Sequence, residues 1–63
     1  MTREEFKAIR KRLGFTQSEL AALLGYHSGV RISEFERTKN PISVPRLLAL
    51  VMQALDSGWR PKG

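Results

Sequence analysis

Apolar positions in this chain fall at helical spacing, in four clusters separated by short polar or glycine-containing stretches. Phe6, Ile9 and Leu13 lie three and four residues apart, and Thr2 with Glu5 supplies the spacing of a capping box ahead of them. A first helix is expected over about 2–13, stopped by Gly14, which enters the left-handed region without a side-chain clash. The grammar then repeats. Thr16 and Glu19 form a second box, Leu20, Ala21, Leu23 and Leu24 supply an apolar face, and Gly25 closes a helix over about 17–24. Ile32 and Phe35 mark the buried stripe of a third helix, expected over 28–37 with Ser28 as its N-cap. The loop TKNPIS ends it, because Pro41 cannot continue a helix and disfavours helical geometry at Asn40. A fourth helix is expected over about 44–56, opening at Ser43 or Val44 with Pro45 in its first turn. It carries Leu47, Leu48, Leu50, Val51, Met52 and Leu55, and the tail 57–63 is expected to be irregular. No β-type alternation or internal repeat interrupts this pattern. The expectation is an all-α fold, a compact bundle of four short helices in a single domain over 1–63.

The second and third helices are short and joined by a glycine and a few polar residues, so the first of them can brace the other across a tight turn. That arrangement is a helix-turn-helix. With Ile32 and Phe35 pointing inward, a rotation of about 100° per residue turns Val30, Ser33, Glu34 and Arg37 outward, with Gly29, Arg31 and Glu36 on the flanks.

Charge changes the picture from a fold to a partner. Eleven Lys and Arg stand against six Asp and Glu, a formal charge of +5 on 63 residues, which implies attraction to polyanions. Nucleic acid leads and an anionic membrane follows. No apolar run approaches the roughly 18 to 20 residues needed to span a bilayer, and the opening MTREEFK carries acids where a signal peptide would be apolar. The absence of Cys and the single His leave no disulfide framework and no metal site to expect, and a reducing, cytoplasmic, nucleoid-associated setting fits best. No cofactor is expected. With no Cys nucleophile, no carboxylate pair in a plausible pocket and one isolated His, catalysis is not expected either.

The run TQSELAALLG followed by RISEFER resembles the helix-turn-helix of phage-repressor, Cro and XRE-like transcriptional regulators. Gln17, Leu20, Ala21, Gly25, Ile32, Ser33, Glu36 and Arg37 match that pattern, and the likeness covers roughly residues 3–56. It implies that Arg10 on the first helix pairs with Glu36 near the end of the third, locking the two together and leaving Arg10 near a phosphate. It also implies that the third helix enters the major groove of double-stranded DNA. Base readout is then expected from Gly29, Val30, Arg31, Ser33 and Glu34: Val30 on a thymine methyl, Ser33 on a base or a phosphate, Arg31 on guanine or a phosphate, Glu34 on cytosine N4. Glu34 is either such a reader or lies away from the DNA backbone, since an acid repels phosphate. Phosphate contacts are expected from Thr16, Gln17, Ser28, Arg37, Lys39, Asn40 and Arg10. One residue more than the common pattern separates Gly25 from Ile32, which leaves open the register in which Gly29, Val30 and Arg31 meet the groove.

The resemblance implies a small transcriptional regulator without a small-molecule ligand, acting as a homodimer whose recognition helices lie about 34 Å apart. Met52 and the leucine stripe of the fourth helix read first as core, and Leu50, Met52 and Trp59 are also candidates for the dimer surface. Trp59 reads first as a lid folded back over the core and second as half of a dimer contact. The competing function is a protein-binding adaptor or antitoxin-like module on the same fold, which would show a wide apolar patch, rather than hydrogen-bonding groups, on the outward face of the third helix.

Overall fold

The computed structural model describes residues 1–62. It contains α1 (Arg3–Leu13), α2 (Gln17–Leu24), α3 (Val30–Glu36) and α4 (Arg46–Asp56), with no strand among the described residues. Both capping boxes form. Thr2 Oγ1 accepts from the Glu5 N–H at 3.1 Å while Glu5 Oε1 accepts from the Thr2 N–H at 3.1 Å, and Thr16 and Glu19 make the same exchange at 3.1 and 2.8 Å. Each box satisfies donors that the first turn of a helix would otherwise leave unpaired. Gly25 ends α2 at φ 88°, a left-handed conformation that a side chain would strain.

The later helices begin differently from the expectation. α3 starts at Val30 rather than Ser28, with Gly29 as its N-cap and no side-chain cap; Ser28 Oγ lies a long 3.4 Å from the Val30 N–H. The Gly29 carbonyl instead accepts the first helical bond, from the Ser33 N–H at 2.9 Å. α3 also stops one residue sooner, at Glu36, because Arg37 is extended. α4 starts at Arg46, after Pro45 rather than before it. A proline pushes its predecessor out of helical geometry, so Val44 cannot open the helix, and Pro45, itself extended, serves as the N-cap through its carbonyl, 2.9 Å from the Ala49 N–H.

α1 packs against both α4 and α3, and α2 packs against α3. The shared core is Phe6, Ile9, Leu20, Ala21, Ile32, Phe35, Leu48, Met52 and Leu55. At its centre the rings of Phe6 and Phe35 lie 5.6 Å apart at an interplanar angle of 55°. Burial of a side chain of this size contributes about 1.5–3 kcal/mol, and a tilted aromatic pair adds about 0.5–1.5 kcal/mol, so this contact is a main tie between α1 and α3. Ala21 is almost wholly buried on the core side of α2.

α4 departs from an all-core stripe. Leu48, Met52 and Leu55 face inward, whereas Leu47 is 78% exposed and Leu50 51% exposed. Met52 is wholly buried, which removes it from any dimer surface. Trp59 does not seal the core: it is 49% exposed and sits beside Leu47, Leu50, Val51 and Ala54. Its backbone is fixed, because the Trp59 N–H donates to the Ala54 carbonyl at 3.0 Å and Arg60 Nη1 donates to the carbonyls of Trp59 and Leu55 at 2.7 and 3.0 Å. No helix among the described residues is long and apolar enough to cross a membrane.

Candidate nucleic-acid interface

The orientation of α3 is set from beneath. Arg10 is 9% exposed and Glu36 6% exposed, and their side chains meet in two parallel bonds, Arg10 Nε to Glu36 Oε2 at 2.7 Å and Arg10 Nη2 to Glu36 Oε1 at 2.9 Å. Arg10 Nη1 donates to the Phe15 carbonyl at 2.8 Å, and Gln17 Nε2 donates to Glu36 Oε1 at 3.3 Å. The network ties α1, the α1–α2 turn, the start of α2 and the end of α3 to one buried carboxylate. No buried side-chain polar atom among the described residues lacks a partner, the condition under which a buried ion pair holds its geometry.

The expected Arg10–Glu36 pairing is therefore present. The second role expected of Arg10, a place beside a phosphate, does not fit a guanidinium that is buried and directed at Glu36 and Phe15.

Above this network the outward face of α3 and the first turn of α2 enclose an open groove of about 490 Å³, lined by Gln17, Ser18, Gly29, Val30, Ser33, Glu34 and Arg37. Val30 is 65% exposed and is the sole large apolar side chain on this face. Gly29 contributes by what it lacks. A Cβ there would stand 3.1 Å from the Ser18 N and 3.2 Å from Ser18 Oγ, so the missing side chain lets the start of α3 abut the start of α2. Its expected part in base readout can thus come only through its backbone.

On the other side of the Val30–Glu34 ridge lies a smaller hollow of about 270 Å³, lined by Tyr26, His27, Ser28, Val30, Arg31 and Glu34. Here Arg31 Nη1 stands 3.3 Å from Glu34 Oε1, with side chains 51% and 29% exposed. Glu34 is thus the one acid on both hollows, and it is partnered by a cation on its own helix.

The expected phosphate-contacting residues divide. Gln17 and Arg37 line the main groove and Ser28 the smaller one. Thr16 is exposed, but its hydroxyl and N–H already serve the cap of α2. Lys39 and Asn40 are exposed in the α3–α4 loop, outside both hollows. That loop is held in shape: Arg37 Nε donates to the Asn40 carbonyl at 2.8 Å, the Ile42 N–H donates to the Glu34 carbonyl at 3.1 Å, and Asn40 takes a left-handed φ of 51°.

Sequence reasoning overlooks Ser18, Tyr26 and His27 as lining residues. Ser18 follows Gln17 in the first turn of α2, and that position is the signal for it; the places of Tyr26 and His27 depend on the path of the turn, which no pattern in the chain encodes.

A helix-turn-helix family model matches residues 6–52, well over half of the chain, and spans the network, both hollows and most of α4. No curated protein and no solved structure matches the chain significantly. With α2 braced against α3, the Arg10–Glu36 lock beneath them and the matched segment covering both, the chain belongs to the XRE-like helix-turn-helix family of DNA-binding transcription regulators.

Proposed function

We propose that the protein is a repressor- or Cro-like regulator that binds double-stranded DNA in a sequence-specific manner, with α3 in the major groove. The observation that carries this reading is the character of the groove between α2 and α3. Its lining is rich in hydrogen-bonding groups, with Gln17, Ser18, Ser33, Glu34 and Arg37 around one exposed valine. A protein-binding adaptor would present a broad apolar patch on that face. The apolar patch of this molecule lies on α4 instead.

In this reading Ser33 and Val30 meet base edges, Arg31 and Glu34 stand beside them, and Gln17 and Ser18, with the free N–H groups at the start of α2, meet one phosphate. Arg37, Lys39 and Asn40 meet the backbone beyond α3. In this reading the protein binds rather than catalyses.

We further propose that it works as a homodimer through α4. Leu47, Leu50, Val51 and Ala54 form an i, i+3, i+4, i+7 stripe, with Trp59 at its end. The stripe is symmetric about the Leu50–Val51 junction, so two antiparallel copies would set Leu47 against Ala54, large against small. Such a pairing is isologous, as a two-fold interface requires.

The test is duplex binding measured against salt. Affinity is expected to fall with a log–log slope of about −0.9 for each phosphate neutralised. A response flat in salt would remove the reading. Sedimentation of the protein alone and of a Leu47→Ser variant examines the assembly: the wild type is expected to run as a dimer and the variant as a monomer.

A further inference from the structure

We propose that Arg31 and Glu34 act as one reading unit, in which Glu34 determines specificity by accepting from cytosine while Arg31 donates to guanine at the same or the adjacent base pair. This inference rests on the proposed DNA-binding function and assigns the class of sequence recognised.

Three observations carry it. The first is position. Arg31 and Glu34 are one helical turn apart, Glu34 lines both hollows flanking the Val30 ridge, and Arg31 lines the second. Neither belongs to the buried face of α3, which is Ile32, Phe35 and Glu36. The pair therefore has no role in holding the helix to the core.

The second is incomplete engagement. The two side chains meet only through Arg31 Nη1 and Glu34 Oε1, at 3.3 Å. Among the described residues Arg31 Nε, Arg31 Nη2 and Glu34 Oε2 take part in no hydrogen bond, in contrast to Arg10 and Glu36, whose polar atoms are consumed by one another, Phe15 and Gln17. The outer pair keeps donors and an acceptor for a ligand while fixing where each charge sits.

The third is charge. A lone carboxylate at a phosphate-lined groove would oppose binding to every sequence. Paired with Arg31 it is locally neutralised, so it is tolerated, and what remains is its hydrogen-bonding character. An ionised carboxylate only accepts. In the major groove, cytosine offers the N4 amino group, whereas guanine presents N7 and O6 and thymine presents O4, all acceptors that repel it. Adenine offers N6 but sets the N7 acceptor beside it. A carboxylate thus favours cytosine chiefly by rejecting guanine and thymine. A guanidinium has the opposite preference, for guanine O6 and N7. Side chains joined to one another and bearing these opposite preferences match the two edges of a G·C step in one orientation.

The experiment selects bound duplexes from a random pool with the wild type, Glu34→Gln, Arg31→Ala and Arg31→Ala/Glu34→Ala, after thermal melts establish that all four fold. The wild type is expected to fix a G·C pair or step in each half-site. Glu34→Gln is expected to change the preferred cytosine to adenine, since glutamine reads adenine N6 and N7. Arg31→Ala is expected to weaken binding to the wild-type site about tenfold or more, because it removes a guanine contact and uncovers the Glu34 charge. Arg31→Ala/Glu34→Ala should then bind more tightly than Arg31→Ala alone. If Glu34→Gln raises affinity by one factor for all duplexes and leaves the selected site unchanged, Glu34 supplies only charge and the inference fails while DNA binding stands. If the wild type binds no duplex in a salt-dependent way, the functional reading fails with it.

Discussion

α3 carries two glutamates two positions apart, and each meets an arginine, yet the two pairs have opposite consequences. A step of two residues turns a helix by about 200°, so Glu36 points into the molecule while Glu34 points away from it. Glu36 is 6% exposed and meets Arg10 through two bonds at 2.7 and 2.9 Å; Glu34 is far more exposed and meets Arg31 at a single 3.3 Å approach. In the interior, water cannot replace a lost partner, so the inner pair is costly to break. At the surface it can, so the outer pair is cheap to break and its atoms are open to a ligand. Burial, rather than residue type, divides architecture from recognition here.

The largest effect should come from breaking the inner pair on one side. Glu36→Ala leaves the Arg10 guanidinium buried without its counter-charge and removes an acceptor from Gln17, and the loss of one member of a buried pair typically costs about 3–5 kcal/mol. A single small core rarely supplies more than about 3–5 kcal/mol in total, so urea denaturation should find this variant largely unfolded at room temperature. Arg10→Met/Glu36→Leu, which removes both charges together, should recover part of that stability, though not all, since the Phe15 carbonyl loses its donor. A Glu36→Ala protein that melts with the wild type would mean that the inner pair resembles the outer one.

Next in size are the caps. Thr16→Ala removes the hydroxyl that accepts from the Glu19 N–H, and it should cost about 1 kcal/mol, read as a lower urea midpoint with an unchanged slope. The same boxes give the protein an acid limit. The Glu5 and Glu19 carboxyls are held below the usual range by the backbone N–H groups of Thr2 and Thr16 and then by the threonine hydroxyls, and Asp56 is held low by the hydrogen bond from Arg12. A carboxyl whose folded pKa is depressed stabilises the fold above its unfolded pKa, and that contribution is lost as pH falls through the folded value. The melting temperature should therefore hold near neutrality and decline below a pH of about 4. Glu5→Gln with Glu19→Gln keeps the capping geometry without the titration, so the decline should become shallower. An equally steep decline in that variant would place the acid sensitivity elsewhere.

The caps also decide which parts of the fold are legible in the sequence. α1 and α2 announce themselves because their caps are side chains, and Thr-x-x-Glu is visible as spacing. The starts of α3 and α4 are less legible because Gly29 and Pro45 cap through carbonyls, which every residue has. The inner pair is legible through the family pattern that joins Arg10 to Glu36, but the participation of Gln17 is not, since it depends on the angle at which α2 starts. α4 misleads for another reason. It is apolar on two faces, Leu48, Met52 and Leu55 on one and Leu47, Leu50, Val51 and Ala54 on the other, and periodicity shows two stripes without saying which is buried. The tight approach of Gly29 to Ser18 is a tertiary contact with no local trace.

The smallest expected effect on stability is the one that completes the contrast. Arg31→Ala and Glu34→Gln each break an ion pair that is open to water and spans one turn of a short helix, a geometry worth about 0–1 kcal/mol and screened by salt. Their unfolding free energies, read from urea denaturation, should lie within about 0.5 kcal/mol of the wild type, and the difference should shrink further at high ionic strength. The inner pair should respond differently: Glu36→Ala should stay largely unfolded at high ionic strength, because counter-ions do not reach a buried guanidinium. Comparing the outer-pair deficits and the folded fraction of Glu36→Ala at low and high salt separates the pairs without any DNA present. A salt-resistant loss of more than about 1 kcal/mol from Arg31→Ala would show that the outer pair also supports the fold. Its place on the surface of α3 would then no longer imply a part in recognition.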